Sequence, residues 1–263
     1  MYFVIVVGGR QIETAWWGPS ADAAPTLVLL HEGLGSVALW RGFPAALQTA
    51  TGCGVLAYSR FGYGRSASVA LPRPLSYMHD EARDVLGRVL DTTGVRRCVL
   101  VGHSDGGSIA AIFAGEVRDP RVVGLALIAA HFFVEEVSVA AIAAITREYD
   151  AGMLRARLAR HHDDVEAAFR GWSGAWLDPA FREWNITRRV DGIRVPMLLL
   201  QGADDAYGTV EQLRVAERHA RCPVETMLIP GAKHSPHIEA PEATCAAVAG
   251  FARRLLLDRA VAA

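Results

Sequence analysis

Three residue types in a fixed order, a Ser, an acid and a His, each follow an apolar segment and could together carry nucleophilic chemistry. Ser104 lies in Val99–Leu100–Val101–Gly102–His103–Ser104–Asp105–Gly106–Gly107, between a β-branched run and a helix-like segment, Ser108 to Val117. This is the strand–turn–helix setting of a G-x-S-x-G turn, with Gly102 and Gly106 as the flanking glycines. So tight a turn leaves no room for side chains at those two positions. Its strain lifts the hydroxyl out of the sheet and aims the free N–H groups of the next helix at it. Gly-Ser-Gly turns are common and most do nothing, so the flanking strand and helix carry the functional reading.

The acid and the His follow in order. Pro196–Met197–Leu198–Leu199–Leu200–Gln201–Gly202 reads as a buried strand, with Ala203–Asp204–Asp205 at its end. Glu225–Thr226–Met227–Leu228–Ile229 reads as another, followed by Pro230–Gly231–Ala232–Lys233–His234. At the C-terminal ends of parallel strands, Ser104, Asp205 and His234 converge on the sheet rim where open α/β folds bind ligands, with Asp204 as the neighbouring choice of acid. Each type has its task. Ser is a poor nucleophile until His takes its proton, and a buried carboxylate fixes the imidazole tautomer and stabilises the cation.

The elements that must position these residues alternate strand and helix, as in a mostly parallel sheet covered on both faces. Strands are expected at Phe3–Val7, Ile12–Trp16, Thr26–Leu30, Val55–Tyr58, Cys98–Val101, Val122–Ile128, Met197–Gln201 and Glu225–Ile229. Helices are expected at Leu39–Thr49, Tyr77–Thr92, Gly107–Val117, Val210–His219 and Glu242–Leu257. The alternation fails between Phe133 and Val190, where four helical patterns replace it: Val134–Asp150, Met153–His161, Asp163–Trp172 and Pro179–Asn185. The cluster of Trp172, Trp176 and Trp184 with Phe169 and Phe181 reads first as that segment's own small core and second as pocket lining. The run Arg155, Arg157, Arg160, His161, His162 reads as a solvated face partly neutralised by Asp163 and Asp164.

At 263 residues, one α/β domain buries enough surface to be stable. A formal charge of −1 leaves no electrostatic footprint for nucleic acid or an anionic membrane. Cys53, Cys98, Cys222 and Cys245 show neither a C-x-x-C nor a close Cys/His spacing and read as small core residues of a reduced, cytoplasmic chain. The N-terminus, Met1 to Val7, is too short for a signal peptide or a membrane span and reads as a first strand.

With these motifs the chain resembles the α/β-hydrolase superfamily over nearly its whole length. Besides the Ser104 turn, the resemblance is carried by His31-x-Gly33-x-Gly35-Ser36 and by Arg60-Phe61-Gly62-Tyr63-Gly64-Arg65-Ser66, each after a strand. It is also carried by Gly231-x-x-His234 and by Glu239-x-Pro241-Glu242 before a terminal helix. The resemblance implies an α/β-hydrolase fold with a mostly parallel eight-stranded sheet, helices on both faces and a helical cap. It places the core at 1–132 and 191–263 and the cap at 133–190, after the sixth strand. It selects Asp205 over Asp204, because the acid usually stands third after the strand-ending Gly. It also implies an oxyanion hole from the backbone N–H groups of Gly33 and Asp105, such donors typically supplying ~3 kcal/mol each.

Two residues depart from the pattern. Glu32 stands where relatives commonly carry Gly, and either turns away into a structural role or meets a cationic or hydroxylated part of the substrate. Asp105 reads either as a helix N-terminal acid, favourable by up to ~1 kcal/mol, or as a substrate-facing anion. Reading Asp105 itself as the nucleophile would put His103 where the turn needs a small residue. His103 and His31 read as structural, while His131 and His237 join Glu32 and Trp172 as candidates for substrate contact. His79, His161, His162 and His219 read as ordinary surface or helix positions, and no His/carboxylate spacing suits a metal.

The expectation is thus a cofactor-free, metal-free serine hydrolase of small or medium-sized carboxylic esters, with a small-molecule substrate as its partner and a homodimer compatible with the chain. The same triad would serve a lactonase, a thioesterase or a C–C bond hydrolase of aromatic breakdown. A non-catalytic ligand-binding protein of the same fold is the alternative of another class.

Overall fold

The computed structural model describes residues 1–257; residues 258–263, the end of the core segment expected at 191–263, lie outside the described residues. Eight strands form one sheet: β1 (Tyr2–Val7), β2 (Arg10–Trp17), β3 (Thr26–Leu30), β4 (Gly54–Tyr58), β5 (Cys98–His103), β6 (Val122–Ile128), β7 (Met197–Gly202) and β8 (Val224–Ile229). Their spatial order is β1-β2-β4-β3-β5-β6-β7-β8. β1 and β2 pair antiparallel with each other, as do β2 and β4, and every later pairing is parallel.

The sequence pattern explains the layers. Central strands β3, β4, β5 and β7 are buried at every position, as parallel strands covered on both faces must be. Alternate residues then face opposite layers: Val28, Leu30, Cys98 and Leu100 join one apolar cluster, while Leu27, Leu29, Val99 and Val101 join the other. The edge strands β1 and β8 keep exposed positions instead.

Three of the departures from the expected helix boundaries bear on the site. The segment expected at Leu39–Thr49 is a 3₁₀ turn, Val37–Trp40, and a separate helix, Phe43–Thr51, broken at Arg41 by its positive φ of 53°. The helix after Ser104 begins at Asp105 rather than Gly107, so the first helical N–H groups abut the hydroxyl. The segment expected at Asp163–Trp172 runs as Val165–Leu177, with Asp164 accepting from the Ala167 N–H as its N-cap.

Between β6 and β7 the chain forms helices Glu136–Asp150, Met153–Leu158, Val165–Leu177 and Thr187–Val190 and a 3₁₀ turn, Pro179–Glu183. Here His162 differs from its expected surface position. It is buried, its Nδ1 accepts from the Gly64 N–H at 2.9 Å, and its Nε2–H donates to the Leu34 carbonyl at 3.0 Å. Among the described residues no helix is long and apolar enough to cross a membrane.

Candidate active site

The site begins with backbone strain. Ser104 has φ 51° and ψ −120°, an uncommon region for a residue with a side chain, at the junction of β5 and helix Asp105–Ile112. Two close approaches force glycines around it. A Cβ on Gly102 would lie 2.4 Å from the Gly106 carbonyl oxygen, and one on Gly106 would lie 2.0 Å from that of Leu30.

Ser104 Oγ is 3.0 Å from His234 Nε2. On the other side of that ring, Nδ1 is 2.9 and 3.0 Å from the two Asp205 oxygens. The Asp205 side chain is 2% exposed, whereas Asp204 stands exposed beside it. Burial pushes the Asp205 carboxyl up, but hydrogen bonds from His234 and from the Tyr207 N–H outweigh it and hold the group below its ordinary range. The Tyr207 ring lies against the imidazole, its centroid 4.7 Å away.

Backbone contacts hold His234 from behind. His103 Nε2–H donates to the His234 carbonyl at 2.7 Å. Glu239 Oε2 accepts from the N–H groups on either side of His234, at 2.7 Å from Lys233 and 3.1 Å from Ser235. Sequence reading quoted Glu239 only as part of a motif. Its distance of five residues past His234, within one tight turn, was the available signal.

A cavity of about 330 Å³ opens onto Ser104 and His234. Gly33 and Asp105 line it next to Ser104. As the first helical residue, Asp105 has a backbone N–H with no partner inside its own helix. The opposite wall comes largely from the segment between β6 and β7: Ile142, Trp172 and Trp176. A Cβ on Gly33 would lie 2.1 Å from Trp172 Nε1, so the indole sits directly on the loop after β3. The aromatic cluster therefore divides. Trp172 and Trp176 line the cavity, while Phe181 and Trp184 stack on each other at 5.4 Å as packing.

The remaining residues singled out in the sequence separate in the same way. Glu32 and His131 line the cavity. His131 is 3% exposed, and burial drives its pKa down to about 3, so it is a neutral imidazole there. His237 differs: it lies outside this cavity, behind His103, packed on Trp40 at 5.0 Å and Phe43 at 5.5 Å. Its place in a helix turn just past His234 turns the ring into the core instead of the cavity.

Asp105 stands in the first turn of its helix, as the reading of it as an N-terminal acid expects, and its carboxylate is taken up by protein groups. One oxygen accepts from Tyr77 Oη at 2.6 Å, the other from Trp176 Nε1 at 3.2 Å, and Arg60 stands 3.8 Å away. The carboxylate is 1% exposed and joins the helix after Ser104 to the cavity's far wall.

Residues 27–248 match the Alpha/beta hydrolase family. The chain belongs to that family. A protein of Variovorax paradoxus (strain S110), provisionally named as the carbamate hydrolase RutD, is 41% identical over 112 residues. That match spans 42% of this chain and 39% of the relative's length. Proline iminopeptidase of Mycobacterium smegmatis shares the fold, with a TM-score of 0.77 at 20% identity over 95% of this chain and 97% of that one. The enol-lactonase of Burkholderia xenovorans LB400 has a TM-score of 0.72 at 22% identity, over 94% and 98% respectively. At such identities the likeness is one of fold alone.

Proposed function

We propose that the protein is a serine hydrolase that cleaves small or medium-sized carboxylic esters through an acyl-enzyme. The observation that carries this reading is the continuous hydrogen-bonded line Ser104–His234–Asp205 opening into a cavity. Ser104 Oγ attacks the carbonyl carbon as His234 Nε2 takes its proton. The C=O electrons move onto the oxygen, which the Gly33 and Asp105 N–H groups stabilise. Collapse expels the alcohol, which receives the proton from His234. Water, deprotonated by His234, then attacks the acyl-enzyme and releases the acid, returning the proton to Ser104. Asp205 holds His234 in the tautomer with Nδ1–H and stabilises the imidazolium.

The cavity's size suits a small ligand, and its walls of Leu34, Ile142, Trp172, Trp176 and Tyr207 suit an apolar or aryl acyl group. His131 and Trp172 are the residues we assign to substrate contact. Carbamate cleavage is a second reading, supported by the name of the partly matching Variovorax relative, and would use the same line of residues.

Ser104→Ala tests the proposal. The folded variant should lose turnover of p-nitrophenyl esters and labelling by a fluorophosphonate, because only a hydroxyl is removed. Ordinary turnover by this variant would end the assignment. A parallel panel of thioesters, lactones and carbamates ranks the bond cleaved.

A further inference from the structure

An anion at position 32 opposes the negative charge that ester attack builds up beside it, which is why a Gly is the expected occupant. The structure shows what answers this charge. Glu32 Oε2 lies 3.5 Å from His103 Nδ1, the reach of an ion pair. His103 Nε2 meets the His234 carbonyl at 2.7 Å, and a carbonyl only accepts, so that nitrogen carries a proton. Nδ1 then faces a carboxylate oxygen, and two acceptors set against each other attract only with a proton between them.

Arg60 binds the Glu32 backbone carbonyl at 2.8 Å, which leaves His103 as the ring paired with its carboxylate. The His237 ring, 4.8 Å from His103, is kept neutral by burial, with its pKa down to about 3. Burial pushes the Glu32 carboxyl up, yet the imidazoles around it, His103 first, prevail and hold it well below its ordinary range.

We propose that Glu32 and His103 form an ion pair that fixes three loops against one another and cancels the field of the carboxylate where the oxyanion forms. The three loops are the one after β3 that carries Glu32, the Ser104 turn that carries His103, and the His234 loop held by its carbonyl. Both are positioning residues, since neither touches the reacting atoms. The kinetic consequence rests on the serine-hydrolase reading above; the pair itself does not.

A double-mutant cycle with p-nitrophenyl butyrate tests it. His103→Phe keeps the ring's shape and packing but leaves Glu32 without its partner. It should lower kcat about 100-fold with KM within about twofold, and Glu32→Gln alone should lower kcat about fivefold. The double variant should regain about tenfold over His103→Phe, because the uncompensated anion is gone. Losses that simply multiply would overturn the proposal. Should His103→Phe not fold, His103→Gln, which keeps an amide donor for the His234 carbonyl, takes its place in the cycle.

A readout independent of activity is the ¹⁵N spectrum of histidine-labelled protein. Both His103 nitrogens should bear protons in the wild-type protein and only one in Glu32→Gln. An unprotonated Nδ1 in the wild type would also overturn the proposal. Absence of ester turnover beside an intact doubly protonated signal would instead refute the hydrolase reading and leave the pair standing.

Discussion

The two sides of the cavity are held by different means. On the sheet side, Ser104, Asp205 and His234 hang from strand ends whose backbones cannot shift: Ser104 N–H bonds the Ile128 carbonyl at 2.8 Å, and Gly102 and Gly106 fill spaces no side chain could enter. On the other side, the helices between β6 and β7 share one buried apolar cluster with a face of the sheet and are tied to it by polar contacts. Trp176 Nε1 bonds Asp105, His162 bonds Gly64 and Leu34, and Trp172 covers Gly33. One side is a rigid frame suited to placing reacting groups. The other is a wall of packed side chains joined to that frame by contacts between distant segments.

The sharpest way to break this comparison is to disturb the frame chemically while sparing its structure. Asp205→Asn retains size and burial but favours the wrong His234 tautomer, so kcat should fall by about 10⁴ with the melting temperature little changed. Asp204→Asn, at an exposed site, should be mild. Steady-state kinetics on both variants decides, and a reversed ranking would move the acid one residue earlier.

The frame was also the legible part of the molecule. Strands β3, β5 and β7 announce themselves because burial on both faces demands unbroken apolar runs, and the Gly102 and Gly106 spacing marks a turn no other residues permit. The wall was read only as helical. Helical periodicity shows that a face is apolar but not what it meets, so Trp176 could not be told apart from Trp184. His162 was misread for the same reason: its partners lie 98 and 128 residues away in sequence, at Gly64 and Leu34. Asp105 could not be placed because its ligands Tyr77 and Trp176 come from two separate segments.

Acid should strain both sides in a defined window. His131 and His237 are pushed down to about 3, and His31 and His162 are also held below the ordinary His value, in each case chiefly by burial. All four are neutral when folded and take up protons when unfolded below about pH 6.5, so the unfolded chain binds more protons there. Their contribution to stability is complete above that pH and declines below it, by about 1.4 kcal/mol per pH unit for each His until its folded value is reached. Asp205 and Glu32, held below the ordinary carboxylate range, add a second loss below about pH 4. The melting temperature should therefore be flat above pH 6.5 and fall below it. Flat stability from pH 6.5 to 5 would contradict this. His162→Gln should remove the wall's share of the slope and leave that of the frame.

The smallest expected effect concerns the tie between the two sides. Both Asp105 oxygens are engaged, by Tyr77 and by Trp176, and the residue is 1% exposed, so the protein itself holds the carboxylate. Asp105→Asn turns one acceptor into a donor that faces a donor, and it removes the charge beside Arg60. Because the Tyr77 hydroxyl can rotate to accept, the loss should lie near the lower end of the roughly 1–3 kcal/mol range for an unsatisfied buried group. Thermal or urea unfolding reads that loss. With Trp176 less firmly held, KM should rise for all substrates alike, since the wall loosens while Ser104, His234 and Asp205 stay in place. The ranking of amino-bearing over size-matched neutral esters should not move. A selective loss of the amino esters would mean that the carboxylate leaves Trp176 to meet the substrate, and the far wall would then be part of the recognition chemistry and not only its boundary.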